Sequence, residues 1–68
     1  MTETLFVSNK DYDYHSLLKV AEINGYLGNI RVYDAEGGYM VVIRDCKENA
    51  AKVFERRLIN LTENVWGY

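Results

Sequence analysis

Hydrophobic residues recur along this chain with a period of two in three short stretches and with a helical period in two longer ones. The first short stretch, residues 4–8, alternates so that Leu5 and Val7 share one side of a strand while Phe6 points to the other. The other two short stretches flank a Gly-Gly pair at 37–38, which allows the positive φ angles of a tight turn. The pattern predicts one strand and, later in the chain, a hairpin.

The predicted hairpin spans residues 29–44, and its turn determines its register. A loop over residues 35–38 places β-branched residues in two cross-strand pairs on one face, Val32 with Val41 and Ile30 with Ile43. The opposite side of the sheet, called the outer face below, then carries Phe6, Arg31, Tyr33, Met40, Val42 and Arg44. The β-branched face is therefore expected to lie in the core, and the outer face in solvent.

The two longer stretches predict amphipathic helices. Residues 12–25 place apolar side chains on one stripe, and either Asp11 or Asp13 is suited to cap the first turn. Residues 46–61 form the second helix, with a continuous apolar stripe. An acidic pair, Asp45 and Glu48, has the spacing of a capping box at its start.

The predicted order of elements is β-α-β-β-α, followed by a sixth element if residues 63–66 pair as an edge strand; otherwise the tail forms an apolar plug. This order predicts an α+β fold, a small two-layer sandwich in which two helices cover one face of an antiparallel sheet. With the final strand it becomes the ferredoxin-like βαββαβ order. Residues 1–68 are expected to form a single domain.

Composition narrows the classes of function. A chain of 68 residues with a net charge of −2 does not suit a strongly electrostatic binder of nucleic acid or membrane. One cysteine excludes an internal disulfide and, without a secretory leader, favours a reducing cytoplasm. No catalytic or cofactor motif stands out, so we expect a protein that is not an enzyme and holds no cofactor.

Two short runs have a recognisable pattern: Leu5-Phe6-Val7-Ser8-Asn9 is an apolar-aromatic-apolar-x-Asn run, and Gly38-Tyr39-Met40-Val41-Val42 begins with a glycine and an aromatic residue. They resemble the two ribonucleoprotein motifs of the RNA recognition motif. The resemblance implies a ferredoxin-like fold that binds single-stranded RNA by stacking bases on Phe6 and Tyr39. The hairpin register places Tyr39 on the core side instead, so the two interpretations predict opposite positions for this ring.

The outer face is the candidate binding surface. Arginine, methionine and aromatic residues are enriched at the centres of protein interfaces, and exposed apolar area of this kind usually has a partner. The content of six tyrosines in so short a chain also favours a binding surface. Four of them are expected to be exposed, which are Tyr12, Tyr26, Tyr33 and Tyr68. Two alternatives stay open: Trp66 and Tyr68 fold back over this face, or two copies of the chain pair through it.

Two other clusters are weaker candidates. Asp11, Asp13 and His15 would converge on a metal only if their segment were extended, and they cap a helix if it is helical. Lys52, Arg56 and Arg57 form a small basic cluster, which is more typical of a solvated helix face than of a nucleic-acid site.

These features predict a binding module that docks on a protein or nucleoprotein complex and acts by occluding a surface. In its small size, tyrosine content and lack of catalytic residues, the chain resembles small phage- or plasmid-encoded inhibitors such as anti-CRISPR proteins. An RNA-binding domain is the alternative.

Overall fold

The computed structural model describes the backbone of residues 1–66 and the side chains of residues 1–61. Its elements are three strands and two helices, which are β1 (Glu3–Ser8), α1 (Tyr14–Ile23), β2 (Asn29–Ala35), β3 (Gly38–Arg44) and α2 (Ala50–Trp66). A short 3₁₀ turn, Gly25–Leu27, joins α1 to β2. The α+β class predicted from the hydrophobic pattern is confirmed.

The sheet has the order β1-β3-β2, and β3 pairs antiparallel with both neighbours. β1 and β2 therefore run parallel to each other with β3 between them, which is the arrangement of a split βαβ unit. The chain matches the ferredoxin-like order only in part. The edge strand considered for residues 63–66 is wrong, because α2 continues through this segment.

The hairpin has the predicted register. Val32 lies opposite Val41, and Ile30 lies opposite Ile43. Gly37 adopts a φ of 77°, in the left-handed region that glycine enters without steric cost. This turn chemistry aligns the β-branched pairs on the side of the sheet that the helices cover.

The core lies between the sheet and the two helices. Its largest fully buried side chains come from three elements: Val41 and Ile43 from β3, Leu17 from α1, and Phe54 and Leu58 from α2. Burial of large apolar side chains on one sheet face is the main stabilising term in so small a fold. It leaves the outer face uncovered by either helix.

Helix α1 is shorter than the predicted span of residues 12–25. Asp13, one of the two predicted caps, accepts a hydrogen bond of 2.8 Å from the backbone N–H of Ser16. The helix ends at Ile23 and is capped by Asn24, whose buried side chain donates to the carbonyl oxygen of Val20. Asn24 therefore terminates the helix before Gly25, which begins the 3₁₀ turn.

Helix α2 begins later and ends later than the predicted span of residues 46–61. Its first turn is capped from a distant strand: the Glu3 carboxylate accepts from the N–H groups of Asn49 (3.0 Å) and Ala51 (2.8 Å). Asp45 and Glu48 lie in the preceding loop, so the predicted capping box is wrong. Among residues 1–66, neither helix is both long and apolar enough to cross a bilayer.

Candidate docking site on the outer face

Strand register brings the predicted outer-face residues together in rows. Phe6 of β1 and Tyr33 of β2 both lie opposite Met40 of β3, so the three form one row across the sheet. In the next row, Arg31 lies opposite Val42. The alternation predicted for each strand therefore produces one continuous surface, with Met40 at its centre.

The outer face exposes large side chains to solvent. Phe6 is 50% exposed and Tyr33 is 48% exposed. Met40 and Val42, on the central strand, are half-buried between their neighbours. Two aromatic rings that are half exposed to solvent, with a methionine between them, form an apolar centre of the kind found in protein interfaces.

Gly38 determines where the Phe6 ring lies. A Cβ atom at Gly38 would come within 3.0 Å of Phe6 Cζ and would also collide with the backbone carbonyl oxygen of Val7. The ring therefore lies across the strand at the glycine, in the space that a side chain would fill.

Positive charge on the outer face is confined to one end. Arg31 and Arg44 lie in successive positions toward the end of the hairpin away from the turn, and both are exposed. The other end is small and neutral, formed by Ser8, Gly38 and Ala35. Among the described residues, neither guanidinium has a hydrogen-bond or ion-pair partner. Both cations are therefore available to a ligand.

The acidic side chains of residues 1–61 lie elsewhere. The chain has ten acidic and eight basic residues; among residues 1–61 no acidic residue points to the outer face, so nine acids and six bases of this range lie outside it. The outer face is thus a cationic and apolar surface on a chain whose net charge is −2.

The two rings that the RNA recognition motif resemblance assigns to base stacking lie on opposite sides of the sheet. Phe6 is on the outer face, whereas Tyr39, which neighbours Met40 on β3, points toward the helices. The Tyr39 ring packs against Tyr14 of α1, with ring centroids 5.5 Å apart. Phe6 and Tyr39 therefore do not form a common stacking platform, and Tyr33 is the ring that shares the face with Phe6.

The polar groups at the start of α1 and at Cys46 make contacts that stabilise the fold. Hydrogen bonds from Ser16, through its side chain and its backbone N–H, lower the pKa of the Asp13 carboxyl, because the helix start favours the charged form. Within residues 1–61, whose side chains are described, no group of three or more His, Cys, Asp or Glu side chains is arranged to hold a metal. The Cys46 thiol is buried and donates toward the carbonyl oxygens of Met1 (3.3 Å) and Ile43 (3.4 Å).

The basic cluster of α2 lines a groove. Lys52, Arg56 and Arg57 are joined there by residues that the sequence analysis did not single out, which are Asn49, Val53 and Asn60. In the sequence, these six residues recur at intervals of three or four positions, and this spacing indicates that they share one face of a helix. All of the lining belongs to α2 and the residue before it, so the groove follows the surface of one helix.

Tyrosine exposure follows the prediction in part. Tyr33 and Tyr26 are exposed, and Tyr26, beside α1, is 70% exposed. Tyr12 is half-buried against the core, so its predicted exposure is wrong. Tyr68 and the side chain of Trp66 lie outside the described residues, and so does the predicted alternative in which they cover the outer face.

Comparisons with protein families, with curated proteins and with solved structures find no match to this chain. Its function is therefore argued from the geometry of the outer face.

Proposed function

We propose that the protein is a non-enzymatic binding module that docks on a macromolecular partner in the cytoplasm through its outer face. The observation that carries this proposal is the row of Phe6, Met40 and Tyr33, which strand pairing aligns on the side of the sheet opposite the helices. Both rings are about half exposed, at 50% and 48%. Large apolar side chains in water have a free-energy cost that burial against a partner removes.

The composition of the surface supports docking over catalysis. Interface energies are dominated by a few aromatic and arginine residues near the centre of the contact, and the outer face combines two rings with two arginines. The chain would act by occupying a surface that its partner uses for another contact. This mode of action is the one that the likeness to small phage-encoded inhibitors implies.

Single-stranded RNA binding is the second candidate. Phe6 and Tyr33 are exposed on the same face as Arg31, and aromatic rings beside cations are what single-stranded nucleic acid requires. This version uses Tyr33 in place of the Tyr39 that the family resemblance assigns. Partner capture in the presence of nuclease separates it from protein docking.

Affinity capture of the partner from the native cells tests the proposal. Tyr33→Ala and Arg44→Glu are each expected to weaken partner binding at least about thirtyfold, because hot-spot residues are worth about 2 kcal/mol or more. Tyr26→Ala is the matched control, since Tyr26 is an exposed tyrosine near Ala50 and Val53 of α2, on the helical side of the molecule. Circular dichroism verifies that all three variants keep the fold. Full capture by both outer-face variants would remove this face from consideration.

A further inference from the structure

Charge is distributed unevenly on the outer face, and a partner would have to complement it. We infer that the partner is a protein whose contact surface carries an apolar side chain with carboxylates beside it on one side only. This inference rests on the proposed docking function. The apolar side chain would lie on the row of Phe6, Met40 and Tyr33, and the carboxylates would pair with Arg31 and Arg44.

The strand geometry gives the spacing of these groups. Arg31 lies one row from the central row, and Arg44 lies two rows from it. Since alternate residues of a strand are separated by roughly 7 Å, the complementary carboxylates should lie roughly 7 and 14 Å from the apolar anchor. An extended segment with an apolar residue at one position and acidic residues two and four positions later has this spacing.

A nucleic-acid strand fits the face less well. Its phosphates repeat at every nucleotide, so a strand that crosses the face needs cations along its whole path. Here both cations stand at one end, and the other end is formed by Ser8, Gly38 and Ala35. A protein partner meets this asymmetry by carrying its acidic residues on one side of the contact.

A second copy of the chain fits less well still. Among the residues whose side chains the structure describes, none with an acidic side chain points to the outer face, so a symmetric pair of described faces would bury four guanidinium groups without a carboxylate from either copy. Burying charges that have no partner is strongly unfavourable. The same reasoning favours a partner that supplies the missing negative charge.

NMR titration of the full chain with defined probes tests the inference. The first probe is a blocked peptide, Thr-Leu-Thr-Asp-Thr-Asp-Thr, and its matched control carries Lys in place of both Asp residues. The third probe is a uridine octanucleotide, and a dilution series of the chain alone reports self-association. We expect the Asp peptide to shift the resonances of Phe6, Tyr33, Met40 and Val42, while Val53 on α2 stays unchanged.

A charge reversal makes the test specific. The double variant Arg31→Glu, Arg44→Glu is expected to bind the Asp peptide about tenfold more weakly, as two exposed charge pairs would give, and to bind the Lys peptide more tightly than the native chain does. Inner-face resonances such as those of Val41 report whether the variant keeps its fold. Equal binding of the Asp and Lys peptides by the native chain would overturn the inference.

The remaining outcomes distinguish the acidic protein partner from RNA and from a second copy of the chain. Shifts of the outer face by the octanucleotide but not by the Asp peptide would assign the face to RNA, and resonances that move on dilution would assign it to a second copy. Absence of any shift at millimolar Asp peptide would reject the acidic partner. If capture from cells still depends on Tyr33, docking stands and only the partner chemistry falls; if it does not, the docking proposal itself falls.

Discussion

At the scale of single residues, Gly38 links the fold to the candidate site. The space that its missing side chain leaves is used by the Phe6 ring and by the backbone of β1 at Val7. The same residue therefore permits close strand pairing and sets the position of an exposed aromatic ring. Its role is steric, because a Cβ atom has no room in this contact.

Gly38→Ala is expected to lower the free energy of unfolding by about 1–3 kcal/mol, as overpacking does at a closely packed site. Gly25→Ala is the matched control, since a Cβ at Gly25 meets no atom within 4 Å, and we expect a change within about 0.5 kcal/mol. Urea denaturation measures both values. Equal effects of the two substitutions would contradict the role given to Gly38.

Sequence reasoning predicted the outer face at the residue level because alternation and turn chemistry are local properties. A one-residue slip of register would have buried Arg31 and Arg44, which is unfavourable. The register that avoids this burial places the six predicted residues on one face. The position of the Phe6 ring over Gly38 was not predictable in this way. It depends on the pairing of β1 with β3, and these strands are separated along the chain by α1 and β2.

At the scale of elements, β1 and α2 are joined by the Glu3 carboxylate. Hydrogen bonds from the N–H groups of Ala51 and Asn49 lower the pKa of Glu3 below its ordinary value of 4.5. Glu3 occupies an inner-face position of β1, in line with Leu5 and Val7. In the sequence, the only sign of this cap is that the charged residue Glu3 continues the apolar alternation of Leu5 and Val7. The pair Asp45 and Glu48, which is local to α2, does not cap the helix.

Glu3→Gln is expected to lower Tm at pH 7, because the neutral amide is a weaker acceptor at a helix start. Since the folded-state pKa of Glu3 lies below the unfolded-state value, its contribution is complete above pH 4.5 and is lost as pH falls through the folded-state pKa. The Tm difference between variant and native chain should therefore shrink in acid. Thermal unfolding between pH 7 and pH 2 measures it, and a difference that stays constant would contradict the cap.

The packing of α2 on the sheet depends on its buried aromatic residue. Phe54 is fully buried, whereas its neighbour Val53 is 37% exposed. Phe54→Ala is expected to cost about 3–5 kcal/mol, a large share of the stability of a small domain, and Val53→Ala about 1 kcal/mol. Chemical denaturation followed by circular dichroism compares the two, and a smaller loss for Phe54→Ala than for Val53→Ala would contradict this packing.

At the scale of the whole molecule, the α+β class and the hairpin register followed from periodicity, but the ends of the helices did not. The start of α2 depends on Glu3, which is distant in sequence. Its extension through residues 63–66 excludes the edge strand that was one of the two alternatives for this segment. Local patterns in this short tail were compatible with more than one structure, and only the assembled fold distinguishes them.

The whole fold separates two surfaces. The helices and the inner face of the sheet share the core. The outer face carries exposed rings and two arginines, and no acidic side chain of residues 1–61 lies beside them on that face. This division is what makes the outer face the candidate for docking. It also provides two exposed tyrosines, Tyr33 and Tyr26, on different sides of the molecule.

Photo-crosslinking from these two tyrosines tests the central claim most directly. The variants Tyr33→p-benzoylphenylalanine and Tyr26→p-benzoylphenylalanine each place a photoreactive ring at an exposed position, and both are irradiated in the native cells. The account predicts a specific covalent adduct from position 33 and none from position 26, although Tyr26 is the more exposed of the two, at 70% against 48%. An adduct from position 26 alone would contradict the account and move the binding surface to the helical side.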